Sequence, residues 1–348
     1  MRSPESLEPT DLLRWALARG GFETSGWRVS LLQGGGSDRR FYRLEGRSGR
    51  LIALVSPRRP AAAVDENDSY AAIGQLLWRT GLPVPRFHVA APEAGCFLMD
   101  DLGNLHLQSF AARLGSPARL EQAYRAVIRM LLRLHRRVPA RFSSEFCFDG
   151  AVYNAPFVFN RELEYFRTAF VNGYLGGALN AADFQPDFDR IADQAGRHRS
   201  GQVLHRDFQS RNLMVNRGHL GLLDFQGMRW GPATYDLASL LLDPYMALPN
   251  PLQDRLVDYY WRGASAFLQC DHQTFIRDYE MVRLCRHLQV LGAFAFLGQV
   301  KGKSFFLDFI PTAWRRLTAW LDRPFAASLP RLRQWTRENE KRMSKIEY

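Results

Sequence analysis

The feature that most constrains this chain is a change of period near residues 101–104. Before it, apolar residues come in short runs that alternate with polar ones: Trp27–Leu32, Phe41–Leu44, Leu51–Val55, Phe87–Ala90 and Cys96–Met99. Such runs, separated by glycine and polar residues, read as strands. One helical stretch, Asp65–Thr80, interrupts them and is ended by Gly81 and Pro83. A further helix is predicted over Leu7–Arg19, with Thr10 and Asp11 as cap residues. From Leu105 onward the apolar period becomes 3.6. Leu120–Val138 sets Tyr124, Val127, Leu131 and Leu134 on one face, and helices are predicted over Phe157–Tyr174, Phe188–Gly196, Ala233–Leu242, Pro251–Gln269, Thr274–Leu297 and Pro311–Leu321. A length of 348 residues suits two packed bodies rather than one core. The expected fold is α+β and bilobal, with a small antiparallel-sheet lobe over residues 1–102 and a larger helical lobe over 103–348.

Composition excludes several classes of function. Met1–Ser6 is polar and lacks the apolar stretch of a secretory signal. The richest apolar segment, Leu288–Val300, is short and broken by Gln289, Gly292, Gly298 and Gln299, so it reads as a buried helix and no membrane span is expected. The four cysteines, Cys96, Cys147, Cys270 and Cys285, show no C-x-x-C spacing, which argues against a zinc site or a disulfide framework and fits a reducing cytoplasmic setting. The net charge of +11 does not imply nucleic acid, because the arginines are spread along the chain rather than clustered. Only four of the 46 basic side chains are lysines, Lys301, Lys303, Lys341 and Lys345, and none precedes position 301.

Two short runs carry the chemistry. The first is Val203-Leu204 followed by His205-Arg206-Asp207, with Asn212 five residues after the aspartate and Leu213-Met214-Val215 beyond it. The second is Gly221-Leu222-Leu223-Asp224-Phe225. The apolar flanks allow a hairpin that brings Asp207, Asn212 and Asp224 to one edge. Transfer of a γ-phosphoryl group needs a carboxylate beside the acceptor hydroxyl and hard oxygen ligands for Mg²⁺. Asp207 suits the first role. Asn212 and Asp224 suit the second, a set adequate for an ion that takes one or two carboxylates together with phosphate and water. Gly34-Gly35-Gly36-Ser37 lies between two predicted strands, so it is neither a P-loop nor a Rossmann turn. Gly35, Gly36 and Ser37 there would let donors approach phosphate oxygens.

His205–Val215 resembles the catalytic loop of the aminoglycoside phosphotransferase and choline kinase superfamily, distant relatives of protein kinases. Leu134-His135 and Asp100-Asp101-Leu102-Gly103 are similar to its first long C-lobe helix and its hinge. The resemblance runs from about residue 29 to 245. It implies ATP and Mg²⁺, Asp207 as catalytic base, Asn212 and Asp224 as metal ligands, His205 as a packing residue and Asp236 as a support of the catalytic loop. It also implies that adenine meets the hinge backbone near Met99, Asp101 and Leu102. Within the superfamily, Asp224-Phe225-Gln226-Gly227, Gly231-Pro232, Tyr235–Leu241 and Asp243-Pro244-Tyr245 resemble the anomeric N-acetylmuramate/N-acetylglucosamine kinases, and Ser37–Arg43 is similar to that branch's nucleotide loop. That branch implies phosphorylation of an amino sugar at its C1 hydroxyl.

The superfamily's third-strand lysine cannot exist here. An arginine is expected to supply its charge, with Arg40, Arg43 and Arg58 as candidates and Glu66 as a helix partner. Gln209 and Arg211 of the catalytic loop, together with Asn154, Glu162 and Tyr165, are the acceptor-side candidates, and Arg211 would also stabilise the transferring phosphoryl group. The expected enzyme is an ATP-dependent sugar kinase, a monomer or weak homodimer. Two alternatives stand beside it: a kinase of another small alcohol (an aminoglycoside, a choline-like amine or homoserine), and a nucleotide-binding pseudokinase, which the missing lysine favours and the intact Asp207, Asn212 and Asp224 oppose.

Overall fold

Alternation in the first hundred residues builds a five-stranded antiparallel sheet in the order β1-β2-β3-β5-β4. The strands are β1 (Arg28–Leu32), β2 (Arg40–Gly46), β3 (Gly49–Val55), β4 (Phe87–Ala91) and β5 (Cys96–Asp100). The computed structural model describes residues 9–32, 39–59, 63–197 and 201–345. Register pairs Leu44 with Leu51 and Ala53 with Leu98. The pleat sends these four to one face, where they pack with Leu12, Leu13, Ala16 and Leu17 of helix α1 (Pro9–Arg19). The opposite face carries helix α2 (Glu66–Arg79), whose N-terminus is closed by a capping box between Asp65 and Asp68. Tyr70 of α2 meets Phe87 and Phe97 of the sheet. Gly74 permits the approach, since a Cβ there would lie 2.4 Å from the Phe87 ring.

Helices α3 (Leu107–Ala111) and α4 (Pro117–Arg137) follow, and α4 buries Tyr124, Val127, Leu131 and Leu134 on its predicted face. The expected hairpin is present as β6 (Leu213–Asn216) and β7 (His219–Leu222), paired Leu213 to Leu222 and Asn216 to His219. Its two-residue turn, Arg217-Gly218, has φ of 50° and 81°, the left-handed pair that suits a tight hairpin. Backbone bonds tie this hairpin to earlier chain: Val215 N–H donates to Leu105 at 2.8 Å and Leu222 N–H to Pro83 at 2.8 Å. Packing therefore groups Met1–Ala151 with His205–Arg229, and Val152–Leu204 with Trp230–Tyr348. A cut at residue 102 does not follow this grouping, because α3, α4 and the hairpin pack as one body with the sheet.

The second unit is helical: α5 (Ala155–Val158), wide π-turns over Phe159–Leu163 and Phe166–Tyr174, α6 (Ala181–Ala195), α7 (Thr234–Leu241), α8 (Asn250–Leu268), α9 (His272–Ala295), α10 (Ile310–Leu321) and α11 (Pro330–Ser344). Phe166, Phe170, Trp314 and Trp335 meet in an aromatic core. Two elements depart from expectation. Helix α6 begins at Ala181 rather than Phe188, because Asn180 and Asp183 form a capping box and Pro186 is carried inside the helix. Helix α11 was not expected. It is largely charged and buries only Leu332, Trp335, Thr336 and Met343. Among the described residues no helix is long and apolar enough to cross a membrane.

Candidate active site

The loop from His205 to Asn212 hangs between the apolar lead-in and the first arm of the hairpin, and backbone bonds fold it on itself. Gln209 N–H donates to Asp207 at 2.9 Å, and Asn212 N–H to Gln209 at 2.9 Å. The Asn212 amide then bridges the two runs that carry the chemistry. Its Nδ2 donates to the Asp207 carbonyl at 2.8 Å and to Asp224 Oδ2 at 3.3 Å. These bonds leave Oδ1, the atom a hard cation would take, outside them. His205 is fully buried, lies 3.1 Å through Nε2 from the Leu223 carbonyl and meets Phe208 edge-on, so the loop is clamped to the strand leading into Asp224.

Two residues here hold backbone angles that side chains rarely adopt, Arg206 with φ 82° and Asp224 with φ 60°. The turn aims the Asp224 carboxylate into a crowded spot. Surrounding protein and then the neighbouring Asp207 charge push its carboxyl above the usual range, against the pull of Gln226, His205 and Arg39. The residue nonetheless keeps an open face. Two carboxylates that repel each other beside an amide oxygen fit a divalent cation, whose charge removes the repulsion.

The cation that sequence reasoning missed is Arg39. It is 7% exposed, its guanidinium lies 3.5 Å from Glu66, and it sits 4.5 Å from the Tyr70 ring centroid. Tyr70 in turn stacks on Phe225 at 4.9 Å, nearly parallel. Gln226 Nε2 donates to Asp224 at 2.9 Å and to Glu66 at 3.1 Å, which closes a chain Arg39–Glu66–Gln226–Asp224. Arg39 Nε and one terminal nitrogen are buried without partners among the described residues. The sequence signal for it was slight, one of two adjacent arginines in the expected nucleotide-loop region.

The three expected arginines sit elsewhere. Arg43 is buried and clamps the hinge, with Nε 2.8 Å from Asp101, a bond to the Gly103 carbonyl at 3.2 Å and another to Asn104. Arg58 forms a bidentate pair with Asp68 at 2.8 and 2.7 Å. Arg40 is exposed at the start of β2. Met99 is buried in β5 and accepts from Tyr70 through sulfur at 3.3 Å. The Asp101 side chain is occupied by Arg43 and by the Gly103 amide at 2.8 Å, and Leu102 packs against Gly221. Gly35, Gly36 and Ser37 lie outside the described residues.

On the acceptor side, Arg211 Nε donates to Gln108 at 2.9 Å while its carbonyl lies 2.6 Å from His106, so the end of the catalytic loop is anchored on α3. In the second unit, Asn154 caps α5 through the Phe157 amide at 3.0 Å. Glu162 is buried and accepts from Tyr153 at 2.8 Å and from Tyr235 at 2.7 Å. Tyr165 meets Phe296 edge-on, and burial pushes its hydroxyl up to about 12. Asp236 is fully buried in α7.

A fold and loop of this kind define a phosphotransferase. Residues 28–283 match the phosphotransferase enzyme family (APH), and the chain belongs to that family. The N-acetylmuramate/N-acetylglucosamine kinase of Pseudomonas aeruginosa is 28% identical over 303 residues, covering 85% of each chain. The choline kinase of Streptococcus pneumoniae superposes with a TM-score of 0.59 at 14% identity, covering 89% of this chain and 98% of that one. Amicoumacin kinase, solved in complex with AMP-PNP and Ca²⁺, superposes with a TM-score of 0.58 at 13% identity, covering 88% and 93%. The fold is thus the expected protein-kinase-like α+β fold, and the protein is a small-molecule phosphotransferase.

Proposed function

We propose that this protein transfers the γ-phosphoryl group of ATP to the anomeric C1 hydroxyl of N-acetylmuramate or N-acetylglucosamine. The observation that carries the phosphoryl-transfer step is the convergence of Asp207, Asn212 and Asp224, with Arg206 and Asp224 held at unusual backbone angles. Support for the acceptor comes from the residues after Asp224 and from the name of the Pseudomonas aeruginosa relative.

In this reading Asp207 orients the C1 hydroxyl and receives its proton. The sugar oxygen forms a bond to the γ-phosphorus as the bond to the bridging oxygen breaks, and ADP leaves with that electron pair. Asn212 and Asp224 would hold Mg²⁺, which supplies charge neutralisation at the phosphates. Arg39, held by Glu66, takes the place of the absent lysine, in preference to Arg40, Arg43 or Arg58. Its buried, unpartnered donors suit phosphate oxygens. Gln209 and Arg211 face the acceptor from the loop. An anomeric hydroxyl is more acidic than an ordinary alcohol, so Asp207 contributes more by orientation than by basicity.

The test is incubation with ATP, Mg²⁺ and a panel of N-acetylmuramate, N-acetylglucosamine, an aminoglycoside and choline. ADP release is followed and the phosphate is located by NMR. Phosphate on C1 of an N-acetylated amino sugar is expected. Turnover only of choline or the aminoglycoside, or phosphate at another hydroxyl, would overturn the acceptor. No turnover with any would overturn the reaction.

A further inference from the structure

Helix α2 meets the turn that carries Asp224 along one of its faces. Glu66, Tyr70 and Gly74 follow one another at intervals of four residues, the spacing that stacks side chains on one side of a helix. Tyr70 stacks on Phe225, and a Cβ at Gly74 would lie 3.0 Å from the Phe225 ring. Phe225 is fully buried, so the backbone between Asp224 and Gln226 is held by packing. Glu66 completes the row with a polar link. Its Oε1 lies 3.5 Å from the Arg39 guanidinium and accepts from Gln226 Nε2 at 3.1 Å.

A glutamine amide carries two N–H groups on one nitrogen. Here that nitrogen serves Glu66 and also Asp224 Oδ1, at 2.9 Å. Both neighbours are carboxylates, which fixes the orientation of the amide, because its oxygen turned towards them would be repelled. Gln226 Oε1 is buried without a partner among the described residues, a cost that an apolar side chain of similar bulk would avoid. The Asp224 carboxylate is thereby held at both oxygens, Oδ1 by Gln226 and Oδ2 by Asn212. Burial and then Asp207 raise the Asp224 carboxyl, and Gln226 is the strongest of the influences that favour its charged form.

We propose that Gln226 is a positioning residue that sets the Arg39 guanidinium, through Glu66, and the Asp224 carboxylate in one fixed relation. The proposal rests on the reading above, in which Arg39 meets the phosphates and Asp224 the metal ion. Loss of the amide then has two separable consequences. Asp224 loses the hold on Oδ1, which bears on binding assisted by metal. Glu66 loses its anchor, and Arg39 with it, which bears on nucleotide binding even without metal.

The test is calorimetric titration of the full chain with AMP-PNP, once with Mg²⁺ and once with EDTA, for wild type, Gln226→Met, Arg39→Gln and the double variant. Methionine keeps the bulk of glutamine and removes both donors. Gln226→Met should weaken AMP-PNP at least about tenfold with Mg²⁺ and at least about threefold in EDTA. In the Arg39→Gln background the same change should have no further effect in EDTA, because its path to the nucleotide there runs through Arg39, while the loss with Mg²⁺ persists. Circular dichroism melts confirm folding, and Gln226→Glu, whose carboxylate offers no donor, decides if Gln226→Met does not fold. Wild-type affinity of Gln226→Met in either medium, beside a weakened Arg39→Gln, would overturn this inference alone. So would an equal loss in EDTA with and without Arg39. Wild-type affinity of Arg39→Gln in EDTA would overturn the reading of Arg39 and the inference with it.

Discussion

Two acidic residues of this chain, Glu162 and Asp224, are surrounded in opposite ways. Glu162 is 2% exposed and receives two tyrosine hydroxyls, and Arg286 donates to one of those same hydroxyls at 3.0 Å while lying 5.2 Å over its ring. Its surroundings are arranged to stabilise a negative charge. Asp224 is held at φ 60° with a second carboxylate as neighbour, and its ionised form is disfavoured. A carboxylate with every oxygen matched does architectural work. One left in a repulsive environment on a strained turn has a poor resting state, which proteins retain where a ligand will supply the missing charge. Sequence reasoning placed both residues in the site. Glu162 belongs to a hydrogen-bonded core, whereas Asp224 faces a second carboxylate.

That contrast can be broken by substitution. Asp207→Asn should lower turnover by at least ~10² while the melting temperature holds, as steady-state kinetics and a thermal melt would show. Near-normal turnover would remove Asp207 from the chemistry. Glu162→Ala should do the reverse. Stranding the Tyr153 and Tyr235 hydroxyls should cost about 2 kcal/mol or more in a denaturant titration, with the ATP Michaelis constant of the folded fraction unchanged. Arg39→Gln should raise the ATP Michaelis constant about tenfold, whereas Arg58→Gln, paired at the surface, should change it less than about twofold. Equal effects would deny Arg39 its special place.

Much of this was legible in the residues themselves. The strands stood out because alternation is a local signal, and the hairpin because Asn212 and Asp224 sit on either side of two apolar arms around Arg217-Gly218. Arg39 was not legible. Adjacent arginines at 39 and 40 point to opposite sides, and only the position of α2, fixed by the Gly74–Phe87 contact, decides which one is buried against Glu66 and Tyr70. The pairing of Arg43 was hidden for the same reason, since its partner Asp101 is 58 residues away. Helix α11 escaped because charged residues dominate it, although Leu332, Trp335 and Met343 fall at helical spacing. The start of α6 was lost to Pro186, a residue usually read as a break.

Asp224 is crowded by Asp207 in the resting enzyme, and a divalent cation bound there would relieve the crowding. An acid whose folded pKa is raised loses its charge at higher pH than an ordinary aspartate. Metal binding and turnover should therefore fail on the acid side sooner than for an unperturbed carboxylate, while the ionised form costs stability above that pH. Carboxyl titration followed by NMR measures this directly. Asp224 should titrate above the ordinary aspartate value in the wild type, and move down towards it in Asp207→Asn and on addition of Mg²⁺ with AMP-PNP. An Asp224 that titrates at or below the ordinary value, or one that ignores both the loss of Asp207 and the arrival of the metal, would contradict the account.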